Sequence, residues 1–160
     1  MDKCMRDIAA DRAGILAPPP LIYLGVLGFG LLLERHWPTR LLSGSLAVGA
    51  GSFILICGVI GAAAAIRTLW RAQTPVDPYK TTTALVTDGL FRFSRNPIYV
   101  SDTLIYIGLS LALNAGWALA LAPLLVWVIQ VGVIAREEKY MERKFGEDYL
   151  RYKRQVDRWL

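Results

Sequence analysis

Three stretches of this chain, residues 13–33, 41–66 and 103–135, contain no Asp, Glu, Lys or Arg. A helix rising 1.5 Å per residue crosses a hydrocarbon layer of roughly 30 Å in about 20 residues. The first two stretches each fit one crossing. The third would form a helix of roughly 50 Å, too long for one crossing. Asn114-Ala115-Gly116 lies inside it and supplies a turn signal, so two spans joined by a tight hairpin are expected. The 160 residues therefore read as one all-α, polytopic membrane domain with about four transmembrane helices. Its expected spans are about 18–34, 42–68, 97–113 and 115–136, with a polar loop over 69–96 and a helical tail over 137–160.

The net charge of +5 and pI near 9.4 could point to nucleic acid, but the cations follow the membrane pattern instead. Three Lys or Arg precede span one, two separate spans one and two, five separate spans two and three, and eight follow span four. Sixteen therefore fall on one side and two on the other. The positive-inside rule places both termini and the long internal loop in the cytoplasm, as in a multi-pass protein of a prokaryotic inner membrane. The expected partner is the lipid environment, not nucleic acid. Cys4 and Cys57 lack metal-like spacing, and Cys57 reads as a small buried apolar residue. Residues 1–12 read as a polar, amphipathic lead, mixed in charge and unlike a cleaved signal peptide.

Pro18-Pro19-Pro20 suits the first turn of span one, and Glu34-Arg35-His36-Trp37-Pro38 closes it, with the single histidine read as interfacial. Span two is rich in small residues, among them Gly49, Gly51, Gly58 and Gly61, which permit close helix packing. In the tail, Gly146 predicts a break between two short helices. Tyr149, Tyr152, Val156 and Trp159 recur on one helical face, suited to a headgroup surface.

The polar clusters at 73–99 and 136–158 flank spans three and four, so the hairpin at 114–116 returns them side by side. A pocket between them would hold Arg92, Arg95, Asn96 and Tyr99 opposite Glu137 and Glu138. Pro97 marks a helix start, whose N–H groups favour anions, and a carboxylate at the end of span four would suit a ribose diol or a cationic centre. The same residues could instead serve only to anchor helix ends.

Gly89-Leu90-Phe91-Arg92, Arg95-Asn96-Pro97-Ile98-Tyr99, Glu137-Glu138 and Phe145-Gly146-Glu147-Asp148-Tyr149-Leu150-Arg151-Tyr152 stand in order along the chain. Together they resemble the integral-membrane methyltransferases of the isoprenylcysteine carboxyl methyltransferase and phospholipid methyltransferase group, over roughly residues 74–158. The resemblance implies an enzyme that binds S-adenosylmethionine in a pocket between loop and tail. It implies cofactor contacts from Thr83, Ala84, Leu85, Val86, Phe91, Asn96, Pro97, Ile98, Tyr99 and Glu137, and a lipophilic or small-molecule methyl acceptor. Phe91 stands where the family often has tyrosine. Val133 stands where the isoprenylcysteine enzymes keep a substrate-binding arginine, so prenylcysteine is not specifically implied, and Arg136 is the nearest basic residue for that role. Asp102 and Glu138 are candidate bases by charge alone. The rival class, a four-span transporter or membrane scaffold, would need an ionisable residue within the spans, where only Asp102 comes close.

Overall fold

The structure, a computed structural model, describes residues 17–39, 41–76 and 81–160. The lead over 1–12, and Cys4 with it, lies outside the described residues. Helix α1 is Pro19–His36, α2 Gly44–Arg71, α3 Pro97–Ala112 and α4 Gly116–Ile129. Helix α4 runs on through a π-helical segment, Gln130–Ile134, into α5, Ala135–Phe145, and α6 is Glu147–Gln155. A 3-10 turn, Gly89–Arg92, interrupts the long connection between α2 and α3. Both α1 and α3 start at proline, where the missing N–H would have had no helical partner. The hairpin between α3 and α4 turns on Asn114 at φ 53°, a left-handed conformation that asparagine tolerates. Gly146, also at φ 53°, separates α5 from α6 as the sequence indicates.

Helix α3 is the centre of the bundle, and the small residues of α2 explain why. A Cβ on Gly51 would lie 2.3 Å from the Ala112 nitrogen, and one on Gly108 would lie 2.5 Å from the Leu55 nitrogen. The two backbones touch at these points, and the same holds at Gly58 against Ile105. The small-residue face of α2 is thus spent on packing within the chain. On the other side, α1 meets α4 where Gly30 abuts Ala118. Tyr23 of α1 bonds the Tyr99 carbonyl (3.2 Å) and Thr103 Oγ1 (3.0 Å) of α3, and Tyr106 of α3 donates to the Ala118 carbonyl at 2.6 Å. Tyr23, Tyr99, Tyr106, Leu125, Ile129, Val133, Ile134 and Tyr140 form the buried core.

The opposite faces stay apolar and uncovered. Phe53, Ile56, Val59 and Ile60 on α2, Leu124 and Trp127 on α4 and Val131 in the π-helical segment are exposed. Among the described residues two helices, Gly44–Arg71 and the continuous Gly116–Phe145, are long and apolar enough to cross a membrane. Only 17% and 33% of their most apolar windows are buried, the reverse of a helix in a water-soluble core. Helix α3 is apolar but shorter, and α1 carries Glu34 and Arg35 in its last turn. Cys57 is exposed on the outer face of α2, not buried as expected, because Gly51 and Gly58 take the inner face.

The two ends of the bundle differ in kind. At one end the short α1–α2 connection is pinned to the α3–α4 hairpin. Glu34 accepts hydrogen bonds from Thr39 and from the Trp117 N–H at 3.3 Å, and Asn114 bonds the backbone of Leu41 and Leu42. Trp117 Nε1 also donates to the Trp37 carbonyl at 2.8 Å. At the other end, the α2–α3 connection and the tail fold over the helix termini and enclose a cavity.

Candidate active site

The α2–α3 connection holds its shape through threonines. Thr74 Oγ1 lies 3.0 Å from Thr83 Oγ1 and accepts from the Ala84 N–H at 3.2 Å, while Thr83 donates to the Gln73 carbonyl at 2.8 Å. The Thr82 N–H donates to the Tyr140 hydroxyl of α5 at 3.2 Å. Gly89 sits at φ 60° with its α-carbon against Thr68 of α2, a place where conformation and space both require glycine.

The tail then closes on this connection. Tyr152 donates to the Phe91 carbonyl at 2.6 Å, and the Arg95 N–H donates to the Asp157 carbonyl at 2.9 Å. The Arg158 carbonyl accepts from Ser94 Oγ (3.2 Å) and Asn96 Nδ2 (3.0 Å), and Trp159 Nε1 donates to Gln130 Oε1 at 3.0 Å. Tyr149 and Tyr152 are therefore buried against the protein, not directed to a headgroup surface as their spacing suggested. An aromatic face needs covering, and here residues 91–96 cover it.

Between connection, tail and helix ends lies a cavity of about 260 Å³. Its wall is mainly apolar, with Pro19 and Pro20 of α1, Leu69 of α2, Leu85, Val86, Phe91, Ile98 and Met141. The polar part is concentrated: Arg95, Asn96, Tyr99 and Asp102 at the start of α3, Glu137 and Glu138 on α5, and Tyr140, Tyr149 and Tyr152. An apolar wall with a few convergent polar groups is the usual make-up of a small-molecule site.

The two adjacent glutamates have opposite surroundings. Glu138 is held by Arg158 through both oxygens, Nε–Oε1 at 2.9 Å and Nη2–Oε2 at 2.6 Å, and lies 3.1 Å from Arg95 Nη1. Those bonds raise the Arg158 pKa above its ordinary value. Glu138 is thus a structural anion and is not available as the base that its charge suggested. Glu137, about 100° away round the helix, accepts a hydrogen bond from the neutral Tyr99 hydroxyl at 2.8 Å and faces the cavity. Burial pushes the Tyr149 hydroxyl up to about 12, against the opposing influence of Arg95, so this wall presents a protonated phenol.

Of the residues that the sequence pointed to, Ala84, Leu85, Val86, Phe91, Asn96, Pro97, Ile98, Tyr99 and Glu137 all line this one cavity. Thr83 stands behind it, bonded to Gln73 and Thr74, and shapes it from outside. Arg92 is exposed and away from the cavity, because the 3-10 turn points it outward. Arg136 is exposed and does not line the cavity either. Val133, in the π-helical segment, is fully buried in the core. Pro19, Pro20, Thr74, Tyr140 and Arg158 had not been foreseen here. They come from distant parts of the chain with no shared motif.

Among the described residues the protein is all-helical, with uncovered apolar faces suited to membrane association and a polar pocket at one end of its bundle. The pattern of the phospholipid methyltransferase family matches residues 46–148, from the first turn of α2 to the start of α6. The chain belongs to that family, which implies membrane methyltransferase activity in general terms. A Haemophilus influenzae protein, described only as uncharacterized, is 48% identical over 63 residues, covering 34% of this chain and 98% of that relative. No solved structure matches.

Proposed function

We propose that this protein is an S-adenosylmethionine-dependent methyltransferase, set in the membrane through four spans, that methylates a lipidic or membrane-dissolved small acceptor. The observation that carries the reading is Glu137, a cavity-lining carboxylate whose hydrogen-bond partner among the described residues is a neutral tyrosine, inside the family-matched region. A carboxylate in such a setting gains most from a cationic ligand. The cofactor has two cationic centres, its sulfonium and its α-amino group, and a flat adenine. The cavity offers Glu137 to the cationic centres and Phe91, Ile98 and Leu85 to the adenine.

When bound, S-adenosylmethionine supplies a methyl group already activated by the sulfonium charge. The chain's own part is positioning and exclusion of water. Tyr99 fixes the Glu137 carboxylate, and the Thr74–Thr83 bonds hold the backbone of residues 84–86 against the cavity. Pro19, Pro20 and Met141 add apolar wall to it. Asp102, one turn along α3 from Tyr99, is the carboxylate available to hold a proton released by the acceptor. The nucleophile comes with the acceptor. Four spans are supported by α1–α4 forming one bundle, by the two long apolar helices, and by the sixteen-to-two distribution of cations. The family match favours an enzyme over a transporter or scaffold.

Titration of detergent-purified protein with S-adenosylhomocysteine tests the cofactor. A folded protein that shows no binding heat would remove the proposal. Mass spectrometry of membrane lipids and small thiols after incubation with labelled methyl donor would then identify the acceptor.

A further inference from the structure

Outside the cavity, three arginines gather at the same end of the bundle with no carboxylate to meet them. Arg67 and Arg71, one turn apart at the end of α2, and Arg92, at the end of the 3-10 turn, are all exposed. None of the three has an ion-pair partner among the described residues, and Asp88, just before the turn, is not paired with them. Two large rings stand exposed beside them in the chain, Trp70 at 70% and Phe93 at 69%. Gly89 seats the 3-10 turn on Thr68, which brings Arg92 and Phe93 to the end of α2 that carries Arg67, Trp70 and Arg71.

The face and the depth of this patch indicate what it meets. Phe53, Ile60 and Arg67 follow one another at intervals of seven residues, and Trp70 stands fourteen residues after Ile56. Seven residues are close to two helical turns, so Arg67 and Trp70 continue the uncovered apolar stripe of α2. Leu69, on the other side of the helix, lines the cavity. From the exposed Leu46 to Ile66 the helix rises roughly 30 Å, one hydrocarbon thickness. The arginines therefore begin where the hydrocarbon ends and the phosphates lie. Rings at that level suit the boundary between acyl chain and headgroup.

We propose that Arg67, Arg71 and Arg92 form a seat for the phosphate of an anionic phospholipid, with Trp70 and Phe93 resting on its upper acyl chain. This relies on α2 being a membrane span, and it goes beyond methyl transfer: the lipid is a bound partner on the outer face and not the acceptor in the cavity. Guanidinium forks match phosphate oxygens in pairs, which favours arginine for such a seat. The seat also touches the site's architecture. Phe91, which lines the cavity, belongs to the same 3-10 turn as Arg92, so a lipid held there braces one wall of the cavity against the membrane surface.

The test places the protein in bilayer nanodiscs of equal phosphatidylcholine and phosphatidylglycerol and counts the lipids that stay bound by native mass spectrometry. The unaltered protein should retain phosphatidylglycerol over phosphatidylcholine by at least about tenfold. Each arginine at a lipid surface contributes about a fivefold preference, so the combined variant Arg67→Gln, Arg71→Gln, Arg92→Gln should retain the two lipids within about twofold of each other. A control removes three exposed cations from the tail, Arg143→Gln, Arg151→Gln and Arg154→Gln, and should keep the preference of the unaltered protein. Equal retention of the two lipids by the unaltered protein would overturn the proposal. So would an equal loss in the control, which would make net charge and not this surface the cause. Displacement of the lipid by soluble glycerol phosphate at the same concentration would assign the patch to a free phosphate and overturn the lipid seat. A protein that fails to enter phosphatidylcholine nanodiscs at all gives a different result, one that overturns the membrane placement itself.

Discussion

Replacing Glu138 by alanine would strand two arginines at once. Arg158 is 31% exposed and can turn its guanidinium to water, but the Arg95 side chain, 9% exposed, cannot. Removing one partner of a buried ion pair costs about 3–5 kcal/mol, because the remaining charge is left buried without compensation. For a chain of this size each kcal/mol moves the melting temperature by about 2–4 °C, so Glu138→Ala should melt on the order of 10 °C below the parent in detergent. Arg158→Ala should cost much less, since Arg95 stays beside Glu138. A double variant, Glu138→Leu with Arg95→Met, should recover most of the loss, because it replaces the charges by apolar groups of similar size. The measurement is thermal unfolding followed by intrinsic fluorescence. A Glu138→Ala protein that melts within about 2 °C of the parent would refute the assignment of Glu138 as the anion that ties the tail to α3.

Two further substitutions test the rest of the fold. Gly51→Ala should destabilise by about 1–3 kcal/mol, because its Cβ would press on the Ala112 backbone, whereas Gly49→Ala, with nothing within 4 Å, should be neutral or slightly stabilising. Asn114→Ala removes the side-chain bonds to Leu41 and Leu42 at the end opposite the cavity. It should lower the melting temperature by a few degrees and leave S-adenosylhomocysteine affinity unchanged in calorimetry.

The architecture was legible to the extent that the membrane dictates it. Charge-free runs, prolines at helix starts and the turn at Asn114 are local features, and α1–α4 begin and end close to them. Periodicity placed Tyr149 and Tyr152 on one face but carried no information about what that face meets. The answer depended on residues 91–96, nearly sixty positions earlier. Cys57 shows the same ambiguity: in an apolar helix, inside and outside look alike, and only the glycines opposite it mark the packed side. In the site, the motif at 95–99 and Glu137 were readable because their residue types are unusual beside an apolar run. The different roles of Glu137 and Glu138 were not, since they follow from Arg158, twenty positions along the chain. The π-helical segment over 130–134 has no composition that announces it.

The central claim is that Glu137 meets the positive charge of the cofactor. Calorimetric titration with S-adenosylmethionine, which carries both cationic centres, of the parent, Glu137→Ala and Glu147→Ala proteins tests it most directly. Hydrogen bonds to charged groups contribute about 1.5–3 kcal/mol, so Glu137→Ala should bind roughly tenfold to a hundredfold more weakly. Glu147, exposed at the start of α6 and away from the cavity, should be replaceable without effect. Equal affinities in all three folded proteins would contradict the account.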